Sequence, residues 1–343
     1  MRILIIDSHK GTKNGVPQNM HWQNSKILAD YLGADFIWSY PSVNDEIKSG
    51  YDIIIFVHAS HYAYTDYKWV EQSPDARLFY ITNEYNLGEP RTLWMAAKEG
   101  RKYDVIANHP HEASKVVMKY VNEWHNLNIN ALIYSPRDAA EYDFQDEIRI
   151  GSQMALFDYE HRAKFNCIYY GSFRKDRSLY FKKYLDENVL LSTHPKNIDK
   201  FRGAGATSGV CGRIDWQNGG LFPYKQSLYI EDEKTHVYYN YLANRFYEAL
   251  NYGCTPIFSE ECRRTVELSG YSVPDEYFIS SPFELKQKEY LTCLDKWHWL
   301  AEKEKTEALV KISRIITTQF RQNGNAQLDQ LDNRFDSCRL HKL

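Results

Sequence analysis

The chain has 343 residues, 43% of them apolar and 25% charged, enough for about two domains and unlike disordered or collagen-like chains. A formal charge of −3, from 42 basic and 45 acidic residues, excludes a generally basic nucleic-acid coat but not a local basic patch. Six Cys without a Cys-x-x-Cys pair argue against a zinc ribbon or a disulfide framework and for reduced thiols in a cytosol.

Residues 2–7 read as a buried strand, too short for a signal peptide's apolar core, and no later stretch approaches membrane-spanning length. A soluble, cytoplasmic protein is expected. A Gly-bearing loop, a helix through Ile27, Leu28 and Tyr31 and a second strand near 34–39 complete a βαβ unit. Apolar strand-like runs follow at 52–58, 76–82, 104–107 and 131–134, with helical stretches between several of them. Strands alternating with helices predict a parallel sheet covered on both faces.

Near residue 160 the pattern restarts. A strand at 166–170, a helix over 179–185 and a strand at 189–192 are followed by a helix over 239–252, which places Leu242, Phe246, Ala249 and Leu250 on one stripe and stops at Gly253. A short strand at 255–258 and a late helix at 302–320, carrying Leu309, Ile312, Ile316 and Phe320, come next. The expected organisation is a first α/β domain over 1–160, a second over 161–320, and a polar tail, 321–343, docking back on the first. Paired α/β halves bind ligands in the cleft beyond the carboxyl ends of their strands.

The loop 8–17 carries Gly11 and Gly15 but no G-x-G-x-x-G, and no G-x-x-x-x-G-K-[ST] occurs, so dinucleotide binding and P-loop hydrolysis both lose ground. The segment "IYYGSFRKDR" places Gly171 and Ser172 at a strand's carboxyl end and Arg174 and Arg177 at a helix start. Helix-start amides and guanidinium forks suit phosphate oxygens, although solvated loop arginines would read the same. Arg245 and Glu248, three apart, share one side of a helix. They form either an intrahelical ion pair or a phosphate-and-ribose pair. In "FYITNEYNLGEP", Asn83, Glu84 and Glu89 follow a strand, where a carboxylate could deprotonate an acceptor hydroxyl or stand as an ordinary loop acid. Histidines 58, 61, 109 and 111 match no zinc spacing.

Along most of the chain these features fall in one order: an opening strand and "VP" before the first helix (Val16, Pro17), a threonine at a strand end (Thr82), a stretch ending "IYSP", the blocks "YGSFR" and "GRI", and the Arg-x-x-Glu helix. In this the sequence resembles the DNA β-glucosyltransferase family of T-even phages, with "YGSFR" the most specific element. The resemblance implies an α/β fold of the GT-B type, two Rossmann-like domains facing across a cleft, with the acceptor on the first and the nucleotide sugar on the second. By position, it makes Ser172, Arg174 and Arg177 the diphosphate-binding set, the second arginine lying one residue closer to the first than in the family. Arg245 and Glu248 match the phosphate- and ribose-binding pair, Ile214 the residue whose backbone pairs with uracil, and Asp232, with a register shift, an acid that approaches the donor. The family's catalytic aspartate follows a threonine, and the matching residue here is Asn83. Either Glu84 supplies the base from the next position or the acceptor is activated differently. The family's acid near the first helix falls on Met20, with His21 adjacent.

The implied activity is an inverting transfer of glucose or a related sugar from a UDP-sugar to the hydroxymethyl group of a modified pyrimidine in phage duplex DNA. The resemblance implies a monomer with no protein-bound metal, and it leaves room for stimulation by a divalent cation. The target base would rotate out of the stack, and Arg91, Lys98, Arg101, Lys102, Lys196, Lys200 and Arg202 are cations for the DNA backbone. Two alternatives stand beside this one. A GT-B transferase could use the same donor on a saccharide or other small acceptor, or Asn83 could mark an inactive nucleotide-sugar or DNA-binding module.

Overall fold

Unbroken apolar runs such as Ile3–Ile6 and Ile53–Val57 are buried along their whole length, the pattern of parallel strands covered on both faces. In a computed structural model, which describes residues 1–8, 21–37, 49–57, 62–84, 90–115, 118–133, 165–214, 216, 220–231 and 240–321, they belong to the first of two six-stranded parallel sheets. Its strands are β1 (Ile3–Ile6), β2 (Asp35–Ile37), β3 (Ile53–Val57), β4 (Arg77–Thr82), β5 (Tyr103–Ala107) and β6 (Val121–Asn126), in the order β2-β1-β3-β4-β5-β6. One face packs on helix His21–Leu32 through Ile27, Leu28 and Leu32; the other packs on helices Ala63–Glu71 and Arg91–Lys98 through Tyr67, Val70, Leu93 and Ala96.

The second sheet has β7 (Phe165–Tyr170), β8 (Leu190–Ser192), β9 (Gly209–Val210), β10 (Tyr224–Tyr229), β11 (Thr255–Ser259) and β12 (Phe278–Ile279), in the order β12-β11-β10-β7-β8-β9. Counted in chain order within this half, that is the 3-2-1-4-5-6 arrangement of a doubly wound nucleotide-binding sheet. Its core is aromatic: Phe181, Phe201, Tyr169 and Phe173 form a cluster of edge-on and tilted rings. Each fully buried aromatic or aliphatic side chain of this kind contributes about 1.5–3 kcal/mol relative to exposure.

Helix Asp295–Arg321 packs across the 3-10 turn Ile129–Leu132 and helix His21–Leu32, so the last described element covers part of the first half. Polar groups meet there. Asn128 Nδ2 donates to Tyr247 Oη and to Glu304 Oε2, both at 3.0 Å, and Tyr247 Oη donates to the same carboxylate oxygen at 2.9 Å. Burial raises the Glu304 carboxyl pKa.

The structure departs from the sequence expectation at 131–133, while Tyr134 lies outside the described residues. Ala131, Leu132 and Ile133 are buried, but the run is the end of a 3-10 turn lying under the last helix, while β6 is formed instead by the polar, half-exposed "VNEWHN". As an edge strand β6 has one neighbour and needs no apolar run. The tail after residue 321 lies outside the described residues, and among the described residues no helix is long and apolar enough to cross a membrane.

Candidate functional site

The strand order of the second sheet reverses between β7 and β10, and a crevice opens beyond the carboxyl ends at such a point. Gly171 follows β7 with φ of 141°, a value that L side chains rarely adopt, and a Cβ there would face Arg245 Nη1 at 3.5 Å. Glycine lets the chain leave the strand directly beside that guanidinium. The turn is fixed by Gly171 N donating to Ser192 O at 3.1 Å and Thr193 Oγ1 donating to Gly171 O at 2.8 Å.

Across the crevice, two residues past the end of β10, stands Glu231, fully buried at 0% exposure. Arg177 Nε lies 3.1 Å from its Oε2, and Arg245 Nη2 pairs with its Oε1. The Arg245 guanidinium also sits 5.3 Å from the Tyr229 ring centroid and 5.6 Å from that of Tyr169. Among the described residues, these two guanidinium groups and the carboxylate between them sum to a single net positive charge in a largely water-excluded place, where an anion gains more than at a surface.

One turn further along helix Asn244–Asn251, Glu248 is 7% exposed and accepts a hydrogen bond from Tyr170 Oη at 2.7 Å. Burial pushes its carboxyl up to about 7, against the opposing pull of Tyr170 and Arg245. The neutral form is therefore favoured in the fold. The stability this group contributes is fully present below about 4.5 and falls away as pH rises through about 7. A carboxylate has lone pairs enough for Tyr170 and a vicinal diol together. If Glu248 holds a ribose, UDP affinity rises about tenfold between pH 6 and 8, tracking ionisation of the carboxyl. Calorimetry of the wild type against Glu248→Gln separates this from the titration of UDP's own phosphate, which both share; parallel curves would remove Glu248 from the ribose site.

Tyr170 also lines a cavity of about 140 Å³ with Gly171, Ser172, Ser192, Thr193, His194, Arg213, Ile214 and Trp216. The Trp216 ring stands edge-on to Tyr170, centroids 5.7 Å apart, and is backed by Tyr252 at 5.7 Å. Ser172 and Ile214 thus share one cavity, and Arg177, Arg245 and Glu248 gather on its Tyr170 side. Arg174 is exposed and makes no ion pair among the described residues. Asp232 lies outside the described residues.

The first sheet reverses between β1 and β3. Beyond its carboxyl ends a small cavity of about 20 Å³ is lined by Asn24, Ser25, Leu28, Val57, Ile81, Thr82, Asn83, Ile129 and Leu132. Asn83 Nδ2 donates to Asn130 Oδ1 at 3.4 Å, and Asn130 Nδ2 donates to Leu242 O at 3.1 Å, just ahead of the helix bearing Arg245. Glu84, half-buried, donates its backbone N–H to Thr82 Oγ1 at 3.1 Å and is not among the cavity's lining residues.

Sequence reasoning missed Glu231, Tyr170, His194, Arg213 and Trp216. Tyr170 and Arg213 lie inside the blocks "YGSFR" and "GRI", and His194 follows the end of β8; for Tyr170 and His194, position at a strand's carboxyl end is the available signal. Other candidates have structural work. Arg101 donates to the carbonyls of Val70, Ser73 and Ala76, and Arg202 to those of Ala206 and Ser208. His109 is buried edge-on to Trp124, its pKa pushed down to about 4 by burial, whereas His58 and His61 lie outside the described residues.

Two parallel doubly wound sheets, each with a crevice at its reversal point, make the fold that of the GT-B glycosyltransferases. Among solved structures it is shared by T4 phage β-glucosyltransferase. The complex of that phage protein with its UDP-glucose substrate superposes with a TM-score of 0.52 at 14% identity, covering 98% of this chain and 99% of that one. A second structure of it, described with substrate binding and a proposed catalytic mechanism, gives 0.51 at 15% identity over the same shares. No protein-family model and no curated protein matches the sequence.

Proposed function

We propose that the protein is an inverting, UDP-sugar-dependent glycosyltransferase whose acceptor is the hydroxymethyl group of a modified pyrimidine in duplex DNA. The observation that carries the donor half is the cluster of Arg177, Arg245 and Glu231 beside Glu248 at the reversal point of the second sheet. In this reading the arginines neutralise the diphosphate, Glu248 takes the ribose hydroxyls, and the cavity of Ser172, Ile214 and Trp216 receives the base. Arg174, exposed at the rim, adds charge to the outer phosphate.

The acceptor enters from the first half, whose sheet ends at Asn83 and Glu84. Glu84 takes the proton of the acceptor hydroxyl as its oxygen attacks the anomeric carbon, and the sugar–phosphate bond breaks with its electron pair leaving on UDP. Asn83, which cannot accept a proton at neutral pH, orients the acceptor. The acceptor assignment rests on the resemblance in sequence and on the fold of the phage enzyme. Lys98, Lys196 and Lys200 remain exposed for backbone contacts.

Incubation with a panel of UDP-sugars and duplexes containing hydroxymethylcytosine or hydroxymethyluracil, read by nucleoside mass spectrometry, tests it. A nucleoside heavier by one sugar residue is expected. Transfer to free saccharides but not to DNA would keep the donor site and replace the acceptor; failure to bind UDP would overturn the whole reading.

A further inference from the structure

Glu231 stands in the donor crevice although its charge opposes that of an anionic ligand. It is wholly buried, yet both of its carboxylate oxygens face cations, Arg177 on Oε2 and Arg245 on Oε1. The arginines reach it from separate places: Arg177 precedes helix Ser178–Tyr184, and Arg245 lies in the first turn of helix Asn244–Asn251. Without an anion between them, two guanidinium groups in a site of low dielectric repel each other and turn toward solvent.

We propose that Glu231 is a positioning residue for the donor diphosphate, holding the Arg177 and Arg245 forks as a fixed pair and setting the charge of that pair at one net positive unit. This rests on the UDP-sugar reading above. Fixed forks need no reorganisation when negative charge develops on the departing diphosphate, which is where preorganised donors act most strongly. The reduced charge limits how tightly the product UDP is held. On this proposal Glu231 acts on the donor through the two arginines rather than by contact with sugar or acceptor.

When Arg177 is removed, Glu231 and Arg245 neutralise each other, and the diphosphate loses the net charge of this cluster rather than one contact. Removing the acid as well returns Arg245 to the ligand. Calorimetric titration of UDP into the wild type, Arg177→Ala and Arg177→Ala/Glu231→Gln reads this directly. Arg177→Ala is expected to weaken UDP about 10- to 100-fold, and the double variant to recover about three- to tenfold of that loss. A merely structural acid gives no such rescue, and the double variant, which removes one charge of each sign, keeps the buried charge balanced if Glu231→Gln alone fails to fold. Equal or weaker UDP binding by the folded double variant overturns the proposal. Absence of UDP binding by the wild type in the same titration overturns the donor reading and this proposal with it.

Discussion

Glu84→Gln is expected to lower sugar transfer about 100-fold to 10,000-fold, the usual contribution of a positioned general base, while leaving UDP affinity where it was. The substitution keeps the size and half-buried setting of the side chain and removes only its ability to take a proton. Its neighbour supplies the control. Asn83 lines the cavity at the end of β4 and donates to Asn130, and successive residues leaving a strand point to opposite sides. Full activity in Glu84→Gln would remove Glu84 from the chemistry, and Asn83→Asp would then be the variant expected to gain rate. Single-turnover transfer by both variants on one acceptor separates the cases.

Arg245→Ala is expected to weaken UDP by about 1.5–3 kcal/mol, the range for a hydrogen bond to a charged group. It is also expected to lower folding stability by about 3 kcal/mol, because Glu231 keeps its charge and burial while losing one of its two cations. Arg245→Lys restores the charge but not the fork, so stability should recover more than UDP affinity. Arg174→Ala, at an exposed position, is expected to show the smaller loss of UDP and no loss of stability. Calorimetry together with denaturant unfolding checks both quantities, and unchanged UDP affinity in folded Arg245→Ala would strike that residue from the donor site.

Where the strands carry continuous apolar runs, the sequence makes them plain: "ILII", "IIIFV" and the "CIYY" of β7 belong to strands with a neighbour on either side. The central strand β10 was not legible, because "YKQSLY" carries Lys225, Gln226 and Ser227. Gln226 and Ser227 are nevertheless buried, and Gln226 Nε2 satisfies itself on Lys288 O at 3.1 Å, a partner 62 residues away that no local pattern reveals. Missing β10 hid Glu231, since an acid in an unassigned stretch has no reason to face the crevice. Arg245 and Glu248 were legible as a pair on one helix side, but not in their partners. Spacing suggested a bond between them, whereas Arg245 pairs with Glu231 and Glu248 accepts from Tyr170.

Helix Asp295–Arg321, which closes over the Ile129–Leu132 turn and the first helix, also sets an order of events during synthesis. The first half leaves the ribosome with its sheet complete, yet its Ile129–Leu132 turn is covered in part by helices Asn244–Asn251 and Asp295–Arg321, which are made well after it. At ordinary translation rates the interval is on the order of 10 to 40 s. Throughout it the nascent first half presents Ile129 and its neighbours to other chains, so this protein's yield in a cell should depend on chaperone supply more than the size of either sheet would suggest.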